Sequence, residues 1–418
     1  MFGVAEMLEE VVASRSLAGA ATLVWREGQP AAVATAGRRD LQSRQPVERD
    51  TIFRIASMTK PVTTVAALTL LEEGRFALAD PIADVVPELA HMRVLRDPEG
   101  PLDASDPAAR PITFGDLLTH ASGLTYGEFH RGPIAEALAA QLGPTIDNAL
   151  GVDEWLRRLG QLPLIDQPGA GFHYGLSTDV LGFVIARLDG LPLGEALRRR
   201  VFEPLGMRDT GFTVPSANRD RRAGLCGFDD DGKLTALAAT PGAHALAERP
   251  ADMTFESGGQ GLWSTLDDYL AFARLFIGAG SVDHVRVLRP ETFALMTTNQ
   301  LTPAQRAAAR MFMRPIFATG HGYGMGVAVV TDPAQADPMR GRGHVGTVGW
   351  PGAYGGWWQA DPGDRSVLIF LSHNMVELSQ MRQGIGLDVW QAIAGFHAIA
   401  SKLTKDAAAP TTSTTITT

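Results

Sequence analysis

The chain has 418 residues, with 37 Lys plus Arg against 46 Asp plus Glu, for a formal charge of -9. Its 45% hydrophobic and 20% charged residues are those of a globular protein, and at about 150 residues per domain the length suggests two or three domains. The acidic balance argues against nucleic-acid binding, the single cysteine (Cys226) rules out a disulfide and a cysteine-based metal site, and no apolar run reaches the roughly 18 to 20 residues of a membrane helix.

In chain order, residues 4–14 read as an amphipathic helix. Residues 20–37 read as a β-hairpin turning at Glu27, Gly28 and Gln29, and Thr51 to Ile55 as a short strand. Ser57 to Glu73 reads as one helix stopped by Gly74, with Pro61 near its start, where proline is tolerated. From Leu78 to about Met207 the pattern is mostly helical. It is interrupted by a proline- and aspartate-rich surface loop at 97–111, and helices open at Thr113-Phe114-Gly115-Asp116 and at Ser177-Thr178-Asp179. Beyond about residue 220 come the glycine-rich run Ser257 to Leu262 and a helix capped at Ser264-Thr265-Leu266-Asp267. Strands are expected at Tyr323–Thr331, Ala353–Gln359 and Arg365–Ser372, and a closing helix at Leu387–Ala400. The threonine-rich end, residues 406–418, has no periodicity and reads as a disordered tail. The fold expected is α/β (α+β). Residues 1–80 and 225–400 would form an α/β domain, and 81–224 an inserted, mostly helical domain. The N-terminus carries three acidic residues in its first ten and no basic stretch, so it does not read as a secretory signal, and the expected compartment is the cytoplasm.

Lysine is scarce. Of the 37 basic residues only Lys60, Lys233, Lys402 and Lys405 are lysine. Lys60 lies in the apolar segment RIASMTKPVTTVAALTLLEEG, three residues after Ser57, and residues i and i+3 share a helix face. A serine hydroxyl is a poor nucleophile unless a neighbour takes its proton. A lysine can take it only as the neutral amine, which apolar surroundings and the positive end of a helix favour. Ser57, at the helix start, would also have its own N–H free to hold an oxyanion.

Two further segments carry suitable groups. Tyr174, in PGAGFHYGLSTDVLG, precedes a helix on a loop where its hydroxyl can face a cleft. Trp350-Pro351-Gly352-Ala353-Tyr354-Gly355-Gly356-Trp357-Trp358 alternates small residues, which let backbone N–H groups approach a ligand, with aromatic walls.

SMTK, YGLSTDVLG and GWPGAYGGWW, in that order, resemble the serine β-lactamase and penicillin-binding-protein-like superfamily. They are most similar to its esterases related to class C β-lactamases, the family VIII carboxylesterases. LLTHASGLTYG, EPLGMRDTGF and GGQGLWSTLDDYLAFARL extend the likeness over residues 20–395. The resemblance implies a β-lactamase-like fold, an antiparallel sheet flanked by helices with the helical insertion. It implies Ser57 as nucleophile, Lys60 as general base and Tyr174 as the proton carrier toward the leaving alkoxide. The oxyanion would be held by the backbone N–H groups of Ser57 and Ala353. Read from the residues themselves, Trp350, Gly352, Tyr354 and Tyr126 are expected to contact substrate, and so is His344 by its closeness to this segment. No metal or organic cofactor is implied, and the expected partner is a small-molecule ester.

Departures from the family pattern bear on the substrate. The lysine of the Lys-Thr-Gly triad that binds a β-lactam carboxylate has no counterpart, because no lysine lies between Lys233 and Lys402. Where the esterases read Trp-Gly-Gly, this chain has Trp350-Pro351-Gly352, at the cost of one backbone donor. Leu176 stands where β-lactamases place an amide. These differences favour esters. A β-lactamase, a D-amino-acid peptidase or an acyltransferase of the same fold are the nearest alternatives, and a non-catalytic ligand-binding protein is the alternative of another kind. Gly341 to Gly346 matches G-x-G-x-x-G without the strand-then-helix context of a dinucleotide site and reads as a turn. His120 and His173 read as structural, and Asp116 and Asp179 as helix-start residues.

Overall fold

A computed structural model describes residues 3–26, 28–42, 44–237, 246, 248–250, 252–311, 314–337 and 341–406. Its centre is a seven-stranded sheet. In chain order the strands are β1 (Gly19–Arg26), β2 (Gln29–Gly37), β3 (His321–Tyr323), β4 (Ala328–Val330), β5 (Val348–Gly352), β6 (Gly356–Asp361) and β7 (Ser366–Ser372). They lie in the order β3-β4-β5-β6-β7-β1-β2, and every pair is antiparallel. Segments from the two ends of the chain therefore meet inside the sheet, where β1 pairs with β7 in register from Ala20↔Ser372 to Arg26↔Ser366.

The strands read as unbroken apolar runs because both faces of the sheet are covered. Ala20, Val24, Leu368, Phe370 and Trp357 point to one face, beneath α1 (Val4–Ala13) and the long terminal helix α5 (Leu387–Asp406). Ala21, Leu23, Ile369, Trp350 and Trp358 point to the other and join the large core around α2 (Thr59–Glu72), α3 (Ser177–Asp189) and α4 (Leu266–Ala273). Helix α2 is apolar on nearly all sides and almost wholly buried, as a helix without a solvent face must be. It ends where Gly74 takes a left-handed φ of 72°.

Several elements differ from the sequence reading. The helix expected over Ser57–Glu73 begins as a tight 3-10 turn, Ala56–Met58, and becomes α-helical only at Thr59. The strand expected over Tyr323–Thr331 is split into β3 and β4. Gly326, at φ 74°, turns the chain where it passes so close to α2 that a side chain there would meet Thr64. Ala353 to Gly355 form the turn between β5 and β6 rather than a strand, closed by Gly355 N–H donating to Gly352 O at 3.1 Å. The 97–111 loop contains one strand of a small ladder, Arg93–Leu95 against Ser105–Pro107. Thr113 caps its helix as expected, and in the segment Ser264–Asp267 it is Thr265 that caps, accepting from Asp268 N–H. Asp406 ends α5, and the rest of the expected tail lies outside the described residues. No described helix is long and apolar enough to cross a membrane.

His397 of α5 is half-buried, its ring 5.3 Å from Trp357, and His373 is buried after β7; the ring nitrogens of both are buried and lack partners among the described residues. Burial pushes both imidazoles down to about 4 from the ordinary 6.5. The unfolded chain therefore binds more protons than the folded one between those values, and stability falls as pH drops through that window. Urea titrations at pH 7 and pH 5 are expected to show this loss. His397→Phe should remove its own share, about 1.4 kcal/mol per pH unit at most. An unchanged slope in that variant would exclude His397 as a source.

Candidate active site

The site is built where the 3-10 turn before α2, the turn after β5 and two loops of the helical region converge. Ala56, immediately before Ser57, has a φ of 43°, a left-handed conformation sparsely populated by side chains other than glycine. The turn is locked by Met58 N–H donating to Ile55 O at 3.0 Å and by Tyr269 OH donating to Met58 O at 2.9 Å. The strained turn presents Ser57 at the mouth of a cleft of about 410 Å³. The start of α2 then places Lys60 directly behind it.

Lys60 is completely buried. Its Nζ lies 3.3 Å from Ser57 Oγ, 3.1 Å from Tyr126 OH and 3.0 Å from Gly259 O, three polar partners around one nitrogen. The Nζ also sits 4.5 Å from the centre of the Tyr174 ring, a cation–π contact. Tyr174 itself approaches Lys60 with its ring face, and its hydroxyl oxygen accepts from Trp350 Nε1 at 2.9 Å. The two tyrosines stand edge to face at 5.8 Å, because Gly175 lets the Tyr174 loop rest on the Thr125–Tyr126 backbone, where a Cβ would lie 2.3 Å from Thr125 Cα.

Behind Tyr126 is a carboxylate that the sequence reading treats as a helix-start residue. Asp179 lies in the first turn of α3, yet its side chain turns away from its own helix. Oδ2 accepts from Tyr126 OH at 3.3 Å, and Oδ1 accepts from Ser257 Oγ at 2.5 Å and Gly259 N–H at 3.0 Å. It is fully buried, and burial raises its pKa against the opposing pull of Lys60. Burial, with Asp179 adding to it, holds the Tyr126 phenol far above its usual range, so this hydroxyl keeps its proton. The glycine-rich run 257–261 has a role here that its composition alone did not reveal: a Cβ on Gly259 would lie 2.9 Å from Tyr126 OH and 2.8 Å from Asp179 Oδ2.

The opposite wall comes from β5 and the turn after it. Trp350, Gly352, Ala353 and Tyr354 line the same cleft as Ser57, Tyr126 and Tyr174. Gly352 is required because a Cβ there would lie 2.6 Å from Ile55 O, so only glycine lets β5 press against the Ser57 turn. Pro351 lies beyond Gly349, the last β5 residue paired with β4, where its missing N–H is tolerated. Ile146, Met311, Met375, Val376, Met381 and Trp390 complete a largely apolar lining, and Arg382 is the only cation among the described lining residues.

His344 requires a correction, because it does not line this cleft. It precedes β5 at the end away from Gly352, and its Nδ1 is held by Asp361 Oδ2 at 2.9 Å with the ring largely exposed. His120 is structural: Gly175 N–H donates to its Nδ1 at 3.4 Å, and burial, then Lys60, drive its pKa well below the usual value. His173 is bound to Asp166 at 2.9 Å.

A buried serine–lysine pair in an apolar cleft between a sheet and a helical region is an arrangement suited to acyl transfer. The profile of the beta-lactamase family matches residues 4–387. The chain belongs to the beta-lactamase family. Protein Rv1367c of Mycobacterium tuberculosis is 42% identical over 393 residues, covering 94% of this chain and 93% of its own. Esterase EstB of Burkholderia gladioli is 33% identical over 369 residues, covering 85% and 86%. Among solved structures, EstCE1, described as a hydrolase with promiscuous acyltransferase activity, superposes with a TM-score of 0.74 at 26% identity over 94% of this chain and 97% of that one. The beta-lactamase family thus supplies the fold read from the sequence, and around this chain it is a family of serine hydrolases that includes esterases and acyltransferases.

Proposed function

We propose that the protein is a carboxylesterase of the family VIII type that acts through an acyl-Ser57 intermediate. The observation that carries this reading is the fully buried Lys60 amine 3.3 Å from Ser57 Oγ at the mouth of an apolar cleft. Neutral Lys60 takes the Ser57 proton as Oγ bonds to the ester carbonyl. The Ser57 N–H, in the first turn before any helical bond can use it, and the Ala353 N–H at the β5–β6 turn hold the oxyanion. Collapse breaks the carbonyl–alkoxide bond. The leaving oxygen takes a proton from Tyr174, whose hydroxyl is anchored by Trp350. Lys60 restores that proton, and water then repeats the sequence on the acyl-serine. Trp350, Tyr354, Gly352 and Tyr126 shape the pocket for the ester.

Two observations support an ester over a β-lactam. The β5 segment has no lysine for a substrate carboxylate, and the walls are methionine and aromatic side chains that suit apolar groups. Transfer of the acyl group to an alcohol is a second reading. It is supported by the apolar lining, which would favour an organic acceptor over water, and by the likeness to EstCE1.

The test compares wild type with Ser57→Ala on p-nitrophenyl butyrate and on a chromogenic cephalosporin. Wild type is expected to turn over the ester, and the variant to lose at least about 10⁴-fold in kcat. Ester turnover that survives the substitution overturns the mechanism, and faster cephalosporin turnover overturns the substrate class. Added butanol giving butyl butyrate would establish acyl transfer.

A further inference from the structure

We infer that Asp179 is a positioning residue for the Ser57–Lys60 pair, acting through Tyr126 and Gly259. The inference rests on the esterase reading of the site. Lys60 has three hydrogen-bond partners, Ser57 Oγ, Tyr126 OH and Gly259 O, and two of them belong to groups that Asp179 holds. Its Oδ1 fixes the Ser257–Gly259 loop through the Ser257 hydroxyl and the Gly259 N–H, and so sets where Gly259 O meets the amine. Its Oδ2 accepts the Tyr126 proton.

The second contact determines a proton's direction. A hydroxyl has one hydrogen. With that hydrogen committed to Asp179, Tyr126 turns a lone pair to Lys60 and accepts from the amine. Lys60 can then donate to Tyr126 and Gly259 O while its own lone pair points at Ser57. An ionised carboxylate is acceptor-only and enforces this order.

Asn at position 179 would reverse it. The Gly259 N–H and Ser257 hydroxyl require an acceptor at Oδ1, so the amide NH2 must replace Oδ2 and donate to Tyr126. Tyr126, with no acceptor left on that side, is then free to aim its hydrogen at Lys60 and compete with Ser57 for the amine lone pair. Asp179 does not line the cleft, so substrate binding should be untouched.

The test measures kcat and KM for p-nitrophenyl butyrate, and the rate of Ser57 labelling by a fluorophosphonate, in wild type, Asp179→Asn, Tyr126→Phe and the double variant. Asp179→Asn is expected to lower kcat and the labelling rate by about 100-fold with KM changed less than about twofold. Tyr126→Phe breaks the link from the phenol side while leaving the Asp179 carboxylate its Ser257 and Gly259 donors. It is expected to give a similar loss, with the double variant no worse than about the single ones. A loss below about threefold in Asp179→Asn, a change confined to KM, or losses that multiply in the double variant overturn the inference. If Asp179→Asn does not fold, Tyr126→Phe decides: full activity there overturns the role. Labelling of wild-type Ser57 that slows in the variants, with no ester turnover in any of them, would overturn the esterase reading and uphold the role of Asp179.

Discussion

Lys60→Arg is expected to lower kcat for ester hydrolysis by about 10²- to 10⁴-fold, the range for loss of a positioned general base. A guanidinium stays protonated throughout the accessible pH range, so it cannot receive the Ser57 proton. The space is also wrong. Lys60 is enclosed by Ser57, Tyr126, Gly259 and the face of the Tyr174 ring, with no exposed surface into which a longer side chain could extend. Lys60→Met separates the two causes, because it keeps the length and removes the amine. Both variants should be inactive, and Lys60→Met should retain most of the thermal stability. Activity within tenfold of wild type in Lys60→Arg would remove Lys60 from the proton path.

The largest effect on stability is expected at Asp147. Its carboxylate is 1% exposed and bridges two buried guanidinium groups, Arg54 Nη2 at 3.2 Å and Arg249 Nη1 at 2.9 Å. It also accepts the Leu246 N–H at 2.7 Å. Arg54 stacks 4.2 Å above the Trp263 ring, and burial lowers its pKa despite the pull of Asp147. Asp147→Ala leaves both cations without their shared counter-ion in a place water does not reach, a situation that costs about 3 to 5 kcal/mol. The midpoint of urea unfolding should fall accordingly. KM should rise as well, because the neighbouring Thr145 and Ile146 line the cleft. A loss below about 1 kcal/mol would mean that Phe255 O, which accepts from Arg249 at 2.6 Å, and the Trp263 face suffice to hold the two arginines.

Much of the site was legible in the chain because part of it is local. Ser57 and Lys60 are three residues apart on the turn that starts one helix, and no tertiary packing is needed to bring them together. The scarcity of lysine made Lys60 conspicuous, and the buried helix around it explains the apolar flanks. The wall Trp350 to Tyr354 was visible as small residues set among aromatics. Its geometry was less so, since the turn at Ala353–Gly355 was read as strand. The glycines there serve a reversal and a close approach to Ile55, and a linear pattern does not distinguish those uses from bulges in a strand.

The proton network was not legible. Tyr126 meets Lys60 across 66 positions of chain and Gly259 meets it across 199, so nothing in local periodicity selects them. Asp179 was assigned to its helix start because an acidic residue in a first turn usually serves the helix dipole. Only packing of α3 against the 257–261 loop reveals that its two oxygens are used elsewhere. His344 was placed near the cleft by its closeness to Trp350 in sequence. A strand separates its ends by about 3.3 Å per residue, and that distance carries it out of the site to Asp361.

By itself, then, the sequence set Ser57 three residues before Lys60 and left no lysine near Trp350 to bind a carboxylate, which follow from spacing and composition, while its resemblance to a known family implied the fold. The tertiary structure decided which phenol meets the amine, which carboxylate orients that phenol and which histidine is left outside. Those contacts join segments distant in the chain, and only the packing of the sheet, α2 and α3 around one buried lysine nitrogen brings them within hydrogen-bond range.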